Sequence, residues 1–353
     1  MQILKAGMKR QQLEETIRAE IISGTLAPGS RLPTYEGLNH RFNASRATFQ
    51  HVLNTLKQEG FLRGVERQGV FVADRLPHLT RFGLLFDSSE HDNMFLAKLR
   101  REAMRLNRDG EVEFAVFHGD APADGKPAAG PWRELRAQLA ARRLAGLCFF
   151  FRPADPDILE LLEEFPDVPK VLYDDYPGFD RLSVLRLDPV SCAERGLRCL
   201  QEAGASRLAV IARGEQPLAQ CVSERAERFG LEIRPEWQHV VPVHYTATAE
   251  NLVRLLLSLP AETRPDALYI TDDNLLNIVQ SGIVKAGIRV PEQLAVVCHT
   301  NFPDAPEAVL PVGKVGYDVR ELLTRSVGIL RESARQHRPV RSTFEGKYDS
   351  EIE

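Results

Sequence analysis

Cysteine is scarce and scattered in this sequence. The 353 residues include five cysteines, at positions 148, 192, 199, 221 and 298, which is an odd number with no CxxC pair. This spacing indicates neither a zinc motif nor a disulfide framework. Buried thiols in a reducing cytoplasm are expected instead, because free cysteine behaves as a small apolar residue. We therefore predict no metal site, no cofactor and a cytoplasmic location.

Long apolar runs are also missing. The first residues, MQILKAGMKRQQ, contain no apolar segment of a signal peptide, and no run approaches the roughly 18 apolar residues that a membrane span needs. The composition, 43% hydrophobic and 27% charged, is typical of a globular chain long enough for two or three cores. We expect a soluble protein with no membrane partner.

Charge is unevenly distributed along the chain. The formal net charge is -4, yet residues 1–75 contain 11 Lys and Arg against 7 Asp and Glu, so the remainder carries -8. A small basic segment thus precedes a larger acidic one. Such asymmetry indicates contact with nucleic acid, although it is a weak signal by itself.

The basic segment has the pattern of three helices followed by a β-hairpin. The first helix is predicted over residues 9–23. The second is a short helix that Thr34 caps and that contains Leu38 and Phe42, and the third runs from the N-cap Ser45 to Gly60. The apolar stripe of the third helix comprises Phe49, Val52, Leu53 and Leu56. Residues 61–74 alternate around a glycine turn, which predicts a two-stranded wing. This is the pattern of a winged helix-turn-helix.

The start of the third helix carries groups suited to DNA. If this helix enters a major groove, its first turn faces the base edges, and its free N–H groups can bind phosphates. We expect Arg46 to contact bases, while the hydroxyls of Ser45 and Thr48 position the helix on the backbone. The predicted partner is a double-stranded DNA operator.

Residues 8–72 resemble the GntR-type winged helix over their full length, through SGTLAPGSRLP, SRATFQ, LKQEGFL and RQGVFV. The resemblance implies phosphate contacts from Thr34 and Ser45, base contacts from Arg46, and a neighbouring groove reached by the wing near Gln68 and Gly69. The family often has arginine at the position of Gln50. Glutamine pairs with adenine where arginine favours guanine, so Gln50 is a further candidate for base recognition.

Beyond residue 74, strands alternate with helices. Buried segments such as RFGLLF and AGLCFFF alternate with amphipathic ones such as MFLAKLRREAMRLNRD. This alternation predicts parallel sheets with right-handed crossovers, and about 270 residues suffice for two lobes. The predicted fold class is α/β, with a winged helix-turn-helix at 1–75, a linker at 76–80 and a two-lobed domain at 81–353. The chain is expected to cross between lobes near Leu187, at 302–311, and between Ile329 and Ser342.

Polar residues follow six of the predicted strands, at the ends where such folds bind ligands. Their carboxylates, amides and guanidinium groups are suited to sugar hydroxyls, and two aromatic rings could stack on a pyranose. The candidate ligand residues are Asp87, Ser88, Arg152, Asp174, Asp175, Tyr176, Arg213, Asp272, Asp273, Asn301 and Phe302.

The second segment is similar to the sugar-responsive domain of the LacI/GalR repressors, which has the periplasmic-binding-protein fold. The similarity rests on RFGLLFDSS, AGLCFFF, LDPVSCAERGLRCLQEAGASRLAVIAR and PDALYITDDNLLNIVQSGIVKAGIRVPEQLAVVCHTN. It implies ligand roles for Asp272, or its neighbour Asp273, and for Asn301. A GntR-type head before such a domain resembles the architecture of arabinose-type repressors.

These features predict a transcription regulator, namely a repressor of carbohydrate genes that binds a near-palindromic operator as a homodimer and responds to a sugar or related effector. Two alternatives remain open. One is an enzyme-like body with an appended DNA-binding head, against which stands the lack of GxSxG, P-loop and HExxH motifs. The other is a ligand-independent DNA-binding protein, which would not need polar strand ends.

Overall fold

A computed structural model describes residues 2–37, 44–87, 93–119, 132–214, 216–243 and 245–351, with side chains from Arg10 onward. The helices are α1 (Gln2–Ile22), α2 (Arg46–Gln58), α3 (Pro77–Thr80), α4 (Met94–Asp109), α5 (Arg133–Ala140), α6 (Pro156–Glu164), α7 (Pro189–Glu202), α8 (Pro217–Arg225), α9 (Thr248–Leu257), α10 (Leu276–Lys285) and α11 (Val319–Gln336).

The strands of the same ranges are β1 (Leu62–Val65), β2 (Gly69–Val72), β3 (Arg81–Phe86), β4 (Glu113–His118), β5 (Gly146–Phe149), β6 (Lys170–Leu172), β7 (Ser183–Leu187), β8 (Arg207–Arg213), β9 (Glu232–Val241), β10 (Ala267–Ile270), β11 (Ala295–Phe302), β12 (Gly313–Asp318), β13 (Arg341–Phe344) and β14 (Lys347–Tyr348). No helix in the described part of the chain is both long and apolar enough to cross a membrane.

The N-terminal head is built on α1 and α2. The Ser45 hydroxyl accepts a hydrogen bond from the Thr48 amide at 3.2 Å, which confirms Ser45 as the N-cap of α2. The predicted apolar stripe of α2 is buried as expected, in one cluster with Leu13, Ile17 and Ile21 of α1. Helix α1 begins at Gln2 and not near residue 9, and it continues through Gly7.

The second helix of the head is described only in part. Residues 35–37 are helical, and the Thr34 hydroxyl lies 3.5 Å from the Gly37 amide that it caps. Leu38 and Phe42, which were expected on this helix, lie outside the described residues.

The wing is an antiparallel hairpin, as predicted. Strands β1 and β2 pair with Leu62 opposite Val72 and Val65 opposite Gly69. Gly69 has a φ of 115°, which favours glycine because a side chain would be strained there. Arg31 forms an isolated bridge with Phe71, so the segment before the second helix lies alongside the wing. The residues predicted as a linker include the single helical turn α3.

The chain divides into two compact units. One comprises Met1–Leu85, Leu106–Cys148 and Pro153–Lys170, and the other comprises Phe86–Arg105, Phe149–Arg152 and Val171–Glu353. Every candidate ligand residue in the described ranges therefore belongs to the second unit.

One six-stranded sheet of the second unit has the order β14-β12-β11-β10-β8-β9 and is parallel except for the β12–β14 pair. Helix α7 lies close to this sheet, since a Cβ on Gly196 would come within 2.4 Å of the Tyr269 ring on β10. The Tyr269 hydroxyl also donates to the Cys192 carbonyl of α7 at 2.9 Å. Such a close approach requires glycine at position 196.

The other six-stranded sheet has the order β13-β7-β6-β5-β3-β4, with β6, β7 and β13 running parallel. The chain passes between the two sheets after Leu187, as predicted. The crossing predicted at 302–311 is wrong, because β12 pairs with β11 and the chain stays in the same sheet. It leaves only after Asp318, through α11, and returns between β13 and β14. The prolines at 303, 306 and 311 mark a loop but do not reveal its destination.

Candidate functional site

The exposed start of α2 is the first candidate site, and it lies in the head. Ser45 and Arg46 are both exposed, and the hydroxyls of Ser45 and Thr48 lie 2.9 Å apart. The serine cap fixes the first turn, while the amides of that turn that form no intrahelical bond remain available to an anion. The arrangement can therefore bind a phosphate while Arg46 extends beside it.

Tyr35 is a residue of this site that the sequence analysis missed. The Arg46 guanidinium lies 6.0 Å from the centre of the Tyr35 ring. That ring packs edge-on against Phe49 at 5.7 Å, and its hydroxyl donates to the Ala44 carbonyl at 3.1 Å. Tyr35 thus supports the Arg46 side chain from the helix-turn-helix itself. The sequence feature that could have indicated Tyr35 is its position directly after the helix cap Thr34, where an aromatic residue stands in a polar turn.

The other predicted DNA-contacting residues lie on the surface of the head. Thr34, Gln50, Gln68 and Gly69 are exposed. The Gln50 amide donates to Asn54 at 3.2 Å, one turn further along α2. A Cβ on Gly69 would lie 3.3 Å from the Arg31 guanidinium, so a second basic group borders the wing turn.

Replacing Tyr35 by leucine is expected to weaken operator binding about two- to five-fold, since a cation–π contact at an exposed site contributes about 0.5–1 kcal/mol. The measurement is fluorescence anisotropy on a selected operator and on scrambled DNA. Tyr35→Phe is the matched control and keeps the ring, so it should bind like the wild type. An equal loss in both variants would assign the effect to the hydroxyl instead.

In the second unit, Asp273 is bound by groups from two elements, α4 and β11. Its Oδ2 atom accepts from the Lys98 ammonium of α4 at 2.6 Å, from the Thr300 hydroxyl at 3.1 Å and from the Asn301 amide at 3.4 Å. Lys98 also donates to the Asn301 carbonyl at 3.0 Å. This cluster joins α4 to the carboxyl ends of β10 and β11, and its carboxylate is occupied by the protein's own groups.

The neighbouring Asp272 has different partners and is more accessible. Its Oδ2 accepts from the Gln216 side chain at 3.0 Å and lies 3.8 Å from the Arg213 guanidinium. Its Oδ1 accepts from the Asn274 amide at 2.8 Å. The structure thus brings Arg213, at the end of β8, close to Asp272, after the end of β10. Gln216 was missed, although a polar residue directly before Pro217 at a helix start was visible in the sequence.

A third group gathers the ends of β3, β5 and β6. The Arg152 guanidinium lies 5.9 Å from the centre of the Tyr176 ring. Burial raises the pKa of the Tyr176 hydroxyl, the Asp174 and Asp87 carboxylates raise it further, and Arg152 opposes them. These four residues therefore share one electrostatic environment, in which a phenol, a cation and two carboxylates can each bind a hydroxyl.

The remaining candidates have other surroundings. Asp175 accepts from Arg341 at 2.8 Å, and Phe302 is 1% exposed, so no face of its ring is open to a ligand in this structure. The Asn301 side-chain oxygen is buried without a hydrogen-bond partner among the described residues. Ser88 lies outside the described residues. No group of three potential metal ligands is found in the described ranges.

Two segments of the amino-acid sequence match known protein families. Residues 9–72 match the model of bacterial regulatory proteins of the gntR family, and residues 197–344 match that of the periplasmic binding protein-like domain. The chain therefore carries a GntR helix-turn-helix at its N-terminus, followed by a periplasmic-binding-protein-like domain.

Particular relatives span different parts of the chain. The arabinose metabolism transcriptional repressor of Geobacillus stearothermophilus is 23% identical over 355 residues, covering 93% of this chain and 92% of the relative. The HTH-type transcriptional repressor PurR of Aliivibrio fischeri is 26% identical over 215 residues, which are 59% of this chain and 63% of the relative. The chain thus spans less than two thirds of the length of the PurR relative.

A solved structure supports the fold. The LacI family transcriptional regulator from Lactobacillus casei with bound glucose has a TM-score of 0.54 and 20% sequence identity, and the match covers 76% of this chain and 98% of that chain. At this identity the likeness concerns the fold alone.

Proposed function

We propose that the protein is a cytoplasmic, sequence-specific transcription regulator that represses carbohydrate genes and whose operator affinity changes when a small effector binds. The observation that carries the proposal is the exposed, serine-capped start of α2, where Arg46 rests against Tyr35. A polar helix start with a supported arginine is suited to reading a base edge from the major groove. The two relatives named above are repressors.

The proposed effector is a sugar or a related polyol. Asp272, Arg213 and Gln216 present charged and amide groups at one set of strand ends, and Arg152 with Tyr176 presents a cation and a phenol at another. Sugar hydroxyls both donate and accept, so they suit such mixed groups. The unpartnered Asn301 oxygen adds a buried acceptor that a ligand hydroxyl would satisfy.

The test has two stages. The full-length protein is first used to select sequences from a random duplex pool, and an enriched near-palindromic motif is expected. Monosaccharides, sugar acids and disaccharides are then screened by thermal shift, and the hits are titrated into the operator complex. Failure to enrich any motif would contradict sequence-specific binding.

Asp272→Ala is expected to leave operator affinity without effector near the wild-type value and to remove the response to effector. The reason is that Asp272 belongs to the second unit and contacts no described residue of the head: the variant loses its ligand hydrogen bonds and its contacts with Gln216, Arg213 and Asn274. By linkage, any change in DNA affinity on ligand binding equals the change in ligand affinity on DNA binding, typically about 1–3 kcal/mol. Operator titrations with and without effector measure it. Asn301→Ala should likewise lose the response to effector. If operator affinity still changes with effector in both variants, the effector binds at another site.

The regulator is expected to be a homodimer on its operator, because one winged helix reads too short a half-site for selectivity against a genome. Sedimentation at micromolar concentration, with and without operator DNA, measures the mass. A monomer under both conditions would contradict this expectation. The apolar pattern of residues 94–106 in the sequence favours α4 as the dimer interface, but the buried residues of this helix include Lys98 and Glu102, which contact other parts of the same chain.

A further inference from the structure

Lys98 is a charged residue at a position that the helix pattern reserves for the core. It lies on α4 between the buried residues Leu96, Leu99 and Ala103, and only 1% of it is exposed. An ammonium in such a place is strongly disfavoured unless a carboxylate neutralises it. Its bonds to Asp273 and to the Asn301 carbonyl supply that compensation.

The two adjacent aspartates therefore differ in what they can offer a ligand. The Asp273 side chain is 3% exposed and bound by Lys98, whereas the Asp272 side chain is 13% exposed, with Arg213 at the longer distance of 3.8 Å. The sequence alone does not show which of the two aspartates contacts a ligand. In the structure the two aspartates differ because the Lys98 ammonium already binds Asp273.

We propose that Lys98 is a positioning residue of the effector site and acts through Asp273. Its ammonium fills the subsite at Asp273 as a built-in cation and leaves Asp272 as the carboxylate that accepts ligand hydroxyls. This inference rests on the proposed effector-binding function. Shortening the Lys98 side chain opens the subsite and makes the Asp273 carboxyl group accessible to cations from solution.

Helix α4 also forms ion pairs that do not occupy the subsite at Asp273. Arg101 and Arg105 of α4 contact Asp304 at 3.1 and 3.2 Å, and Arg320 contacts the buried Glu102 at 3.1 Å. These pairs hold α4 in place when Lys98 is replaced. The space left by a shorter side chain at position 98 is therefore expected to stay open to a cation from solution.

The experiment is chemical rescue in the full-length protein, with ethylammonium chloride as the probe. Lys98→Ala should melt at a lower temperature than the wild type, and ethylammonium should raise that temperature saturably by about 3 °C or more, because a ligand that binds only the folded state stabilises it. Sodium chloride at equal ionic strength and ethanol, which lacks the charge, should not. The wild type should not respond, because Lys98 already fills the subsite.

The double variant Lys98→Ala/Asp273→Asn is the matched control, since it has the space without the charge, and it should show no rescue. Lys98→Ser, which admits water beside the carboxylate, is used if Lys98→Ala does not fold. The proposal is overturned if ethylammonium leaves the melting temperature of the single variant unchanged, or stabilises the double variant as much. These measurements involve no DNA, so their failure is distinguishable from a failure to select an operator.

Discussion

Arg46→Ala is expected to abolish selective operator binding while leaving weak binding to any duplex. Arg46 lies on the first turn of α2 beside the serine cap, and its guanidinium is supported by the Tyr35 ring. A bidentate contact from arginine to guanine is worth about 1–3 kcal/mol of discrimination, which corresponds to roughly 5- to 150-fold in affinity. Binding to scrambled DNA should change little, since it depends on phosphate contacts from many residues.

The matched control for this prediction is Arg46→Lys. Lysine keeps the charge but lacks the planar fork, so it should preserve affinity for scrambled DNA and still lose discrimination. Both variants are titrated by anisotropy at one fixed salt concentration, on the selected operator and on its scrambled form. Equal losses on the two duplexes would show that Arg46 contacts only phosphate.

In the head, local patterns predicted nearly everything that depends on neighbours in sequence. The Ser45 cap, the buried stripe of α2 and the two-stranded wing follow from hydroxyl placement, helical spacing and a glycine turn. The support of Arg46 by Tyr35 could not be predicted, because it depends on how the turn between two helices folds back. The early start of α1 was missed because the first residues carry no capping signal.

In the second unit, the sequence predicted where polar groups occur but not how they pair. Alternating strands and helices place Arg213, Asp272 and Asp273 at strand ends, and the structure brings Arg213 to Asp272. The partner of Asp273 is 175 positions away on α4, so no local pattern could identify it. The available signal was indirect: Lys98 and Glu102 fall on the apolar stripe of their helix and need partners from elsewhere.

Asp273→Ala is expected to cost about 3–5 kcal/mol of unfolding free energy, because it leaves the Lys98 ammonium buried without a carboxylate. The Thr300 hydroxyl and the Asn301 amide also lose an acceptor. Equilibrium urea unfolding of the full-length protein, monitored by fluorescence of Trp132 and Trp237, measures the change. The matched control is Asp304→Ala, which removes the contacts of Asp304 with Arg101 and Arg105. Since Asp304 is 30% exposed, that loss should not exceed about 1 kcal/mol.

A second variant separates the charge from the packing. Lys98→Met/Asp273→Leu replaces the ion pair by apolar side chains of similar volume, so it should recover the part of the loss that comes from the unpaired ammonium. The part that comes from the Thr300 hydroxyl and the Asn301 amide should remain. If Asp273→Ala costs no more than Asp304→Ala, the pair is not buried in solution. The ligand site would then be open at Asp273 in the free protein, and both carboxylates would be available to the effector.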